Sequence, residues 1–593
     1  LSRKAFLSFG IALKEKMFEA KSIVLIGHRG VGKTTCLKTL AEFLPHYQFF
    51  DLDEEIEKET EQPLIVLFHQ LGEEAFRSLE SRVYQKLSLI EERKIISVGA
   101  GFRTRFLQNS DFVIWLKRTS DEWGRIFTDR PRLDSSLSAL QEYSQRKQTR
   151  DPLFLERADL ILHLPEGETR QTLTDLLFRN ATPQSCFLTL TPWHLQRPQR
   201  LAFLKSIQNL GFELRSDYLS ADQINQLRNE LCEKSLIVSI RDLSSVNLAQ
   251  DSRSEKLQID WDLETQYSGE EVDVLSYHGA DFSVVQKHCS KNQFKLFKWS
   301  PEVKDFAQLR MCHEWYLQNP KRFLFFPRSQ SGRWKWYRQW QMFNQKINFV
   351  SNEISNYADQ VHLLEALGSL KSERFAAVLG SPIGHSFSPT FHRRFFESYG
   401  LPFYAIDLKE NEFTEAMDFL QSLGLVAAAV TSPLKKKAFE FCSQKSAISL
   451  QLESVNTLSY LDEAWLGDNT DAEGFVELSQ KVPPTNGSVA IWGGGGVLSV
   501  VMSCFKKAER YSSTSDEEIK KDYKGWVWAA PPDRPLPKYQ SPPQWILDLN
   551  YREDSRAKEF AILSGAQYVS GLVMFAKQAL EQQKIWERIF VSK

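Results

Sequence analysis

The chain has 593 residues, 42% of them hydrophobic and 25% charged, with 74 Lys and Arg against 75 Asp and Glu for a formal net charge of −1. At ~100–200 residues per hydrophobic core, this length predicts roughly three to five domains. The even charge balance argues against a dedicated nucleic-acid binder, and no apolar run approaches the ~18 residues of a membrane helix.

Seven cysteines, Cys36, Cys186, Cys232, Cys289, Cys312, Cys442 and Cys504, include no CxxC pair. Their odd number and low density point away from a disulfide framework or a zinc knuckle and fit a cytoplasmic, reducing setting. Residues 4–13 are apolar but run straight into Lys14, Glu15 and Lys16, so no signal peptide is read there.

In chain order, an apolar strand from Ser22 to Ile26 leads into GHRGVGKT, Gly27 to Thr34. This matches G-x-x-x-x-G-K-[ST] in its strand-to-helix context: Gly27, Gly30 and Gly32 let backbone N–H groups close on phosphate, Lys33 reaches the β- and γ-phosphates, and Thr34 ligates Mg²⁺. A second strand ends in Asp51 and Asp53, a carboxylate pair suited to a metal–water shell and a polyol hydroxyl. Arg77, Gly99-Ala100-Gly101, Arg130 and Arg150 follow. In that order the set resembles shikimate kinase over residues 20–180. The resemblance implies Asp51 at the Mg²⁺ site, Asp53 on the attacking hydroxyl, Arg77 and Arg150 with Gly99 and Gly101 around the shikimate carboxylate, and Arg130 as the lid arginine on ATP. A planar guanidinium fork suits a carboxylate better than lysine does.

Residues 184–362 carry short apolar runs at Phe187–Leu190, Leu236–Ile240, Val272–Leu275, Phe294–Phe297 and Phe323–Phe326. Glu213, Arg215, Arg241, His278, Lys295 and Lys298 lie on or beside them. Their order resembles type I 3-dehydroquinate dehydratase, a (β/α) barrel that forms a Schiff base with its substrate. The resemblance implies Lys295 as the imine lysine, with Lys298 the alternative. It also implies His278 as general acid/base and Glu213, Arg215 and Arg241 on the substrate, with the late substrate arginine at Arg333 or Arg338. A lysine between Phe294 and Phe297 would have its pKa lowered by desolvation. The segment is shorter than the ~250 residues typical of a barrel. Glu264 and His278 also lie too close in sequence for the usual crossover helix.

From Phe375–Leu379 onward, Ser386 and Ser388 offer two hydroxyls for one carboxylate, Thr431 and Asn456 add polar contacts, and Lys435 with Asp471 can move a proton while hydride moves at carbon. Gly493, Gly494, Gly495 and Gly496 follow the strand Val489–Trp492 and suit a dinucleotide turn. With Tyr551 and Gln578, the set resembles shikimate dehydrogenase from residue 372 to 593. The resemblance implies a substrate lobe over 372–480 with C-terminal helices, a Rossmann-type nucleotide lobe over 486–565, and NADP as cofactor. The family's Asn-Arg-Thr, whose arginine meets the 2′-phosphate, stands here as Ser512-Ser513-Thr514.

The expected fold is therefore α/β and multidomain: a P-loop kinase domain, a shortened (β/α) barrel and a two-lobed dehydrogenase. The order matches the C-terminal part of the fungal arom family. It predicts ATP, Mg²⁺ and NADPH as cofactors and 3-dehydroquinate, 3-dehydroshikimate and shikimate as small-molecule partners, with no nucleic acid or membrane partner. Two alternatives stand beside it: two live ends around an inactive middle, or a non-catalytic sensor like the fungal quinate repressor, which resembles the same three domains.

Overall fold

A computed structural model describes residues 20–127, 136–165, 167–179, 181–183, 185–242, 256–265, 272–289, 294–352, 357–384, 386–484, 488–494, 498–514 and 518–591. The chain forms two compact units: residues up to Arg118 with Arg150–Lys371, and Thr119–Thr149 with Ser372–Lys593.

The first unit holds two sheets. In one, β1 (Ser22–Ile26), β2 (Gln48–Asp51), β3 (Lys94–Ser97), β4 (Phe112–Lys117) and β5 (Leu160–His163) run parallel in the order β2-β3-β1-β4-β5. β1 is buried along its length, as a central parallel strand covered on both faces must be. Helices Lys33–Phe43 and Leu64–Ser88 cover this sheet, the latter bent at Gly72.

The other sheet has nine parallel strands: β6 (Cys186–Leu190), β7 (Gly211–Arg215), β8 (Leu236–Ile240), β9 (Leu257–Asp262), β10 (Val272–Tyr277), β11 (Phe294–Trp299), β12 (Phe323–Phe325), β13 (Asn348–Ser351) and β14 (Val361–His362). Their order is β12-β11-β10-β9-β8-β7-β6-β13-β14. Among the described residues no strand pairing links β12 to β13, so the sheet curls without a closed ladder. Phe326 and Phe349 instead pack ring to ring across that gap at 5.4 Å. Between β9 and β10 the described chain is only the 3₁₀ turn Leu263–Thr265.

The second unit has a mixed sheet of β15 (Phe375–Gly380), β16 (Phe403–Asp407), β17 (Leu425–Val430), β18 (Gln444–Lys445), β19 (Thr457–Leu461) and β20 (Ala464–Asp468), in the order β16-β15-β17-β19-β20-β18. A second sheet is parallel, with β21 (Val489–Gly493), β22 (Glu509–Tyr511), β24 (Gly525–Ala529), β26 (Trp545–Asp548) and β27 (Gln567–Ser570) in the order β22-β21-β24-β26-β27. The short strands β23 (Glu518–Ile519) and β25 (Lys538–Tyr539) pair separately. The helix Leu572–Val591 packs on helices Asp471–Ser479 and Ser388–Ser398. No helix among the described residues is long and apolar enough to cross a membrane.

Candidate functional site

Side chains gather at three places; the first two lie at the carboxyl ends of parallel strands, where open α/β sheets bind their ligands, and the third beside a mixed sheet.

The first surrounds the loop after β1. Gly27, Gly30 and Gly32 all have positive φ, and a Cβ on Gly27 would lie 2.6 Å from Leu116 O. Lys33 Nζ donates to Gly27 O and His28 O at 3.0 and 3.1 Å, folding back over the loop. Thr34 Oγ1 donates to Asp51 Oδ2 at 2.9 Å, and Asp51 Oδ1 accepts from Asp53 N at 3.2 Å. One hydroxyl and one carboxylate form the small protein donor set that suits Mg²⁺ held largely by phosphate and water. No cluster of three or more His, Cys, Asp or Glu builds a dedicated metal cage among the described residues.

Buried Arg77 donates to buried Glu80 at 2.6 Å. Burial pushes the Glu80 carboxyl up; Arg77 and Arg150 oppose this and Asp53 adds to it, so the four charges share one neighbourhood. The two glycines leave room for them. A Cβ on Gly99 would stand 3.0 Å from Glu80 Oε1 and 3.2 Å from Asp53 Oδ1, and one on Gly101 only 2.1 Å from Arg77 Nη2. Sequence reasoning missed Glu80, the His28–Asp151 contact at 2.5 Å, and Arg118, which donates to Val31 O at 2.7 Å beside Gly32. Arg130 lies outside the described residues.

The second place is a pocket in the curled sheet, lined by Glu213, Arg215, Arg241, His278, Lys298, Arg328, Arg338, Tyr357 and Gln360 among others. Of the two candidate lysines on β11, Lys298 reaches this pocket and Lys295, the preferred one, does not. Side chains alternate along a strand, so Lys295 and Lys298, an odd number apart on β11, face opposite ways. Lys295 is exposed on the outer face, paired with Asp273 at 2.8 Å. Lys298 is buried in the pocket and pairs with Asp260. Asp260 also accepts from Arg241 at 2.8 Å and Ser276 at 2.7 Å. Burial raises the Asp260 carboxyl, but Lys298 and Arg241 outweigh it and hold it below the usual range. Burial draws the Lys298 amine below its ordinary pKa and Arg241 adds to this, against the opposing pull of the Asp260 carboxylate.

His278 stands 3.7 Å from Asp262; burial, with Arg241 and Lys298, holds its imidazole well below the usual value and so neutral near pH 7. Glu213 accepts from Thr189 and Ser239 at 2.6 and 2.7 Å. Arg215 grips Asp217 with two bonds at 3.0 and 2.7 Å. Of the two late arginines, Arg338 reaches the pocket, whereas Arg333 donates to Lys304 O away from it. Arg328 and Gln360 are further lining groups that the sequence did not reveal. The pocket wall presents Lys298, Arg215, Arg241, Arg328 and Arg338 against the carboxylate of Glu213, which suits an anionic guest, while Asp217, Asp260 and Asp262 pair with these cations from behind.

The third place lies in the second unit. Lys435 Nζ donates to Asp471 Oδ2 at 2.6 Å, half-buried, while Lys437 pairs with Glu440 on the surface. Asn456 Nδ2 lies 3.0 Å from the other Asp471 oxygen and 3.3 Å from Gln578 Oε1. Ser386 Oγ donates to Ser388 Oγ at 3.2 Å, and Tyr551 stacks on Phe387 at 4.7 Å, its phenol pushed up by burial and hydrogen-bonded to Ser386. Thr431 packs so close to Gly380 that a Cβ there would be 2.4 Å from its Cγ2. Asn469, which accepts from Asp471 N at 2.9 Å, is a further support that the motif reading passed over.

After β21, Gly493 has φ +105°, and a Cβ on it would meet the Ala529 carbonyl at 2.8 Å. This tight approach fits a dinucleotide turn. Gly495 and Gly496 lie outside the described residues. Ser512 and Thr514 share a hydrogen bond at 2.9 Å and offer hydroxyls without charge. Arg510 is a cation beside the turn, donating to Gly493 O at 3.0 Å.

Comparison with known proteins matches the shikimate kinase family over residues 29–178 and the shikimate dehydrogenase substrate-binding domain over residues 378–458. Pentafunctional AROM polypeptide 1 of Lodderomyces elongisporus is 24% identical over 562 residues, covering 80% of this chain and 35% of the relative. The chain thus spans about a third of that relative's length. An NADP(+) shikimate dehydrogenase of Xylella fastidiosa is 41% identical over 102 residues, 17% of this chain and 36% of the relative. The solved shikimate dehydrogenase of Aquifex aeolicus aligns at 22% identity over 36% of this chain and 92% of its own, with a TM-score of 0.32. The chain is a fused multidomain protein that resembles the shikimate kinase and shikimate dehydrogenase portions of fungal AROM polypeptides.

Proposed function

We propose that the chain is a multifunctional enzyme of chorismate biosynthesis. Residues 372–593 reduce 3-dehydroshikimate to shikimate with NADPH, and residues 20–180 phosphorylate shikimate from ATP and Mg²⁺ to shikimate 3-phosphate. The pocket within residues 184–362 dehydrates 3-dehydroquinate. The observation that carries this reading is the 2.6 Å Lys435–Asp471 contact, set among Asn456, Gln578 and the paired serines.

In the reductive step, Ser386 and Ser388 take the substrate carboxylate, and Thr431, Asn456, Gln578 and Tyr551 hold ring oxygens. The nicotinamide, when bound, supplies the hydride to the carbonyl carbon. Lys435 Nζ gives a proton to the carbonyl oxygen as that C=O bond becomes C–OH, while Asp471 orients the amine. In the phosphoryl step, bound ATP and Mg²⁺ supply the transferable group and neutralise its charge. Lys33 would exchange its two carbonyl partners for phosphate oxygens, Thr34 and Asp51 would hold the metal, and Arg77 and Arg150 would grip the carboxylate. Asp53 takes the proton of the attacking hydroxyl.

In the middle pocket, Lys298 Nζ attacks the ketone carbon and water leaves as the imine forms. Neutral His278 removes the proton next to it, the ring hydroxyl departs as a second water, and hydrolysis of the imine frees the lysine. A second reading keeps both ends active around a pocket that binds without turnover. The Lys298–Asp260 ion pair favours it, because the amine must leave that contact to attack.

Separate assays test the reading. NADP⁺-dependent shikimate oxidation should vanish in Lys435→Ala, and ATP-dependent shikimate phosphorylation should vanish in Lys33→Ala. Binding of shikimate with neither reaction in the unmutated chain would favour the sensor.

A further inference from the structure

The helix Ala139–Arg157 carries Arg150 and Asp151 near its C-terminal end, where the last carbonyls have no helical N–H partner. Within the first unit those carbonyls are met by side chains that follow β6, in the other sheet's segment. Wholly buried Arg200 donates Nε to Ala158 O at 2.8 Å and Nη2 to Glu156 O at 2.7 Å. Trp193 donates Nε1 to Leu155 O at 2.9 Å, and the Arg200 guanidinium lies 3.7 Å over its ring. Trp193 belongs to the apolar cluster built on the five-stranded sheet. Beside it, Arg197 holds Asp159 with two bonds at 2.6 and 2.9 Å, and Phe203 packs on Phe112 at 5.7 Å. A cation at a helix C-terminus also meets the negative end of the helix dipole. On its loop side the same helix is tied by Asp151 to His28, whose ring lies 5.3 Å from Phe154.

We propose that Arg200 and Trp193 are positioning residues for the phosphoryl-transfer site: the middle segment of the chain anchors the helix end that sets where Arg150 meets the substrate carboxylate. This rests on the reading of residues 20–180 as a shikimate-phosphorylating site. Arg150 stands five to eight residues before the anchored carbonyls, roughly 8–12 Å along a helix at ~1.5 Å per residue. A shift of about 1 Å there is enough to weaken a guanidinium–carboxylate contact. The ATP side, formed by the loop Gly27–Gly32, touches this helix through His28 but is held as well by β1 and by Lys33.

The test is steady-state phosphorylation by the full chain, with shikimate oxidation at the other site as a check that the protein is folded. Arg200→Met should raise the shikimate KM by about tenfold, with kcat and the ATP KM changed less than about twofold. Arg200→Lys, which keeps charge but loses the fork, should fall between. Trp193→Phe, which removes the indole N–H to Leu155 O and shrinks the ring under Arg200, should raise the shikimate KM by roughly two- to threefold and serves as the second variant if Arg200→Met does not fold. An unchanged shikimate KM in these variants overturns the inference, as does a fall in kcat with both KM values unmoved. Lack of phosphorylation by the unmutated chain would instead sink the kinase reading on which it rests.

Discussion

Lys295 and Lys298 share one strand, yet only one of them can do amine chemistry in the pocket. Lys295 is solvated and paired with Asp273, whereas Lys298 is buried beside His278, Arg241 and Asp260. Borohydride trapping with 3-dehydroquinate should therefore add mass at Lys298 and be lost in Lys298→Ala but not in Lys295→Ala; mass at Lys295 would contradict the geometry. At the reductive site, Lys435→Ala should lower shikimate oxidation by ~10²–10⁴-fold, the usual weight of a positioned general acid–base group, with phosphorylation retained.

Residues in spaced motifs were legible in the sequence: Lys33, Thr34 and Asp51 gather around one loop, and Lys435, Asn456 and Asp471 around one carboxylate. Lys298 stood only as the alternative to Lys295, because every other residue of β11 after Lys295 is buried and no polarity pattern distinguishes its faces. Glu80 and Arg118 were missed for a related reason. A single charge on a helix or at a strand end reads as solvated until a distant partner is known.

Elements transmit these constraints. The turn Gly99–Gly101 is shaped by the charges it must admit, and Gly101→Ala would drive a Cβ into the Arg77 guanidinium and break its 2.6 Å bond to Glu80. Loss of a buried charge-assisted bond costs about 1.5–3 kcal/mol, so the shikimate KM should rise by at least about tenfold with the ATP KM unchanged; equal KM values would show that Arg77 moves freely.

On helix Ser388–Ser398, fully buried His392 meets Gln582 at 3.0 Å and is pushed down by burial to about 3. The unfolded chain takes up a proton near pH 6.5 while the folded chain does not until far lower, so stability falls as pH drops between these values. This residue alone should remove about 2 kcal/mol between pH 6.5 and 5, at ~1.36 kcal/mol per unit. Urea titrations of the second unit's tryptophan signal should show that loss reduced in His392→Gln; identical acid sensitivity would contradict the assignment. The apolar runs at β1, β6, β8, β10 and β11 were readable as strands. The unpaired gap between β12 and β13 was not, since strand pairing depends on curvature that no single strand encodes.

Lys33, Thr34, Asp51, Asp53, Arg77 and Arg150, proposed for phosphoryl transfer, belong to one compact unit, and Lys435 and Asp471, proposed for reduction, to the other. The segment Thr119–Thr149, contiguous in sequence with the first sheet, groups with the second unit, through contacts such as Arg552 over the Trp123 ring at 4.8 Å. That grouping has no local sequence signature, because it arises from contacts between residues hundreds of positions apart.

We propose that the two ends act in succession on one polyol carboxylate. The most direct test is a single incubation of the intact chain with 3-dehydroshikimate, NADPH, ATP and Mg²⁺, read by mass spectrometry. Shikimate 3-phosphate should form, with shikimate accumulating when ATP is withheld. Unchanged 3-dehydroshikimate, with no NADPH consumed, would contradict it.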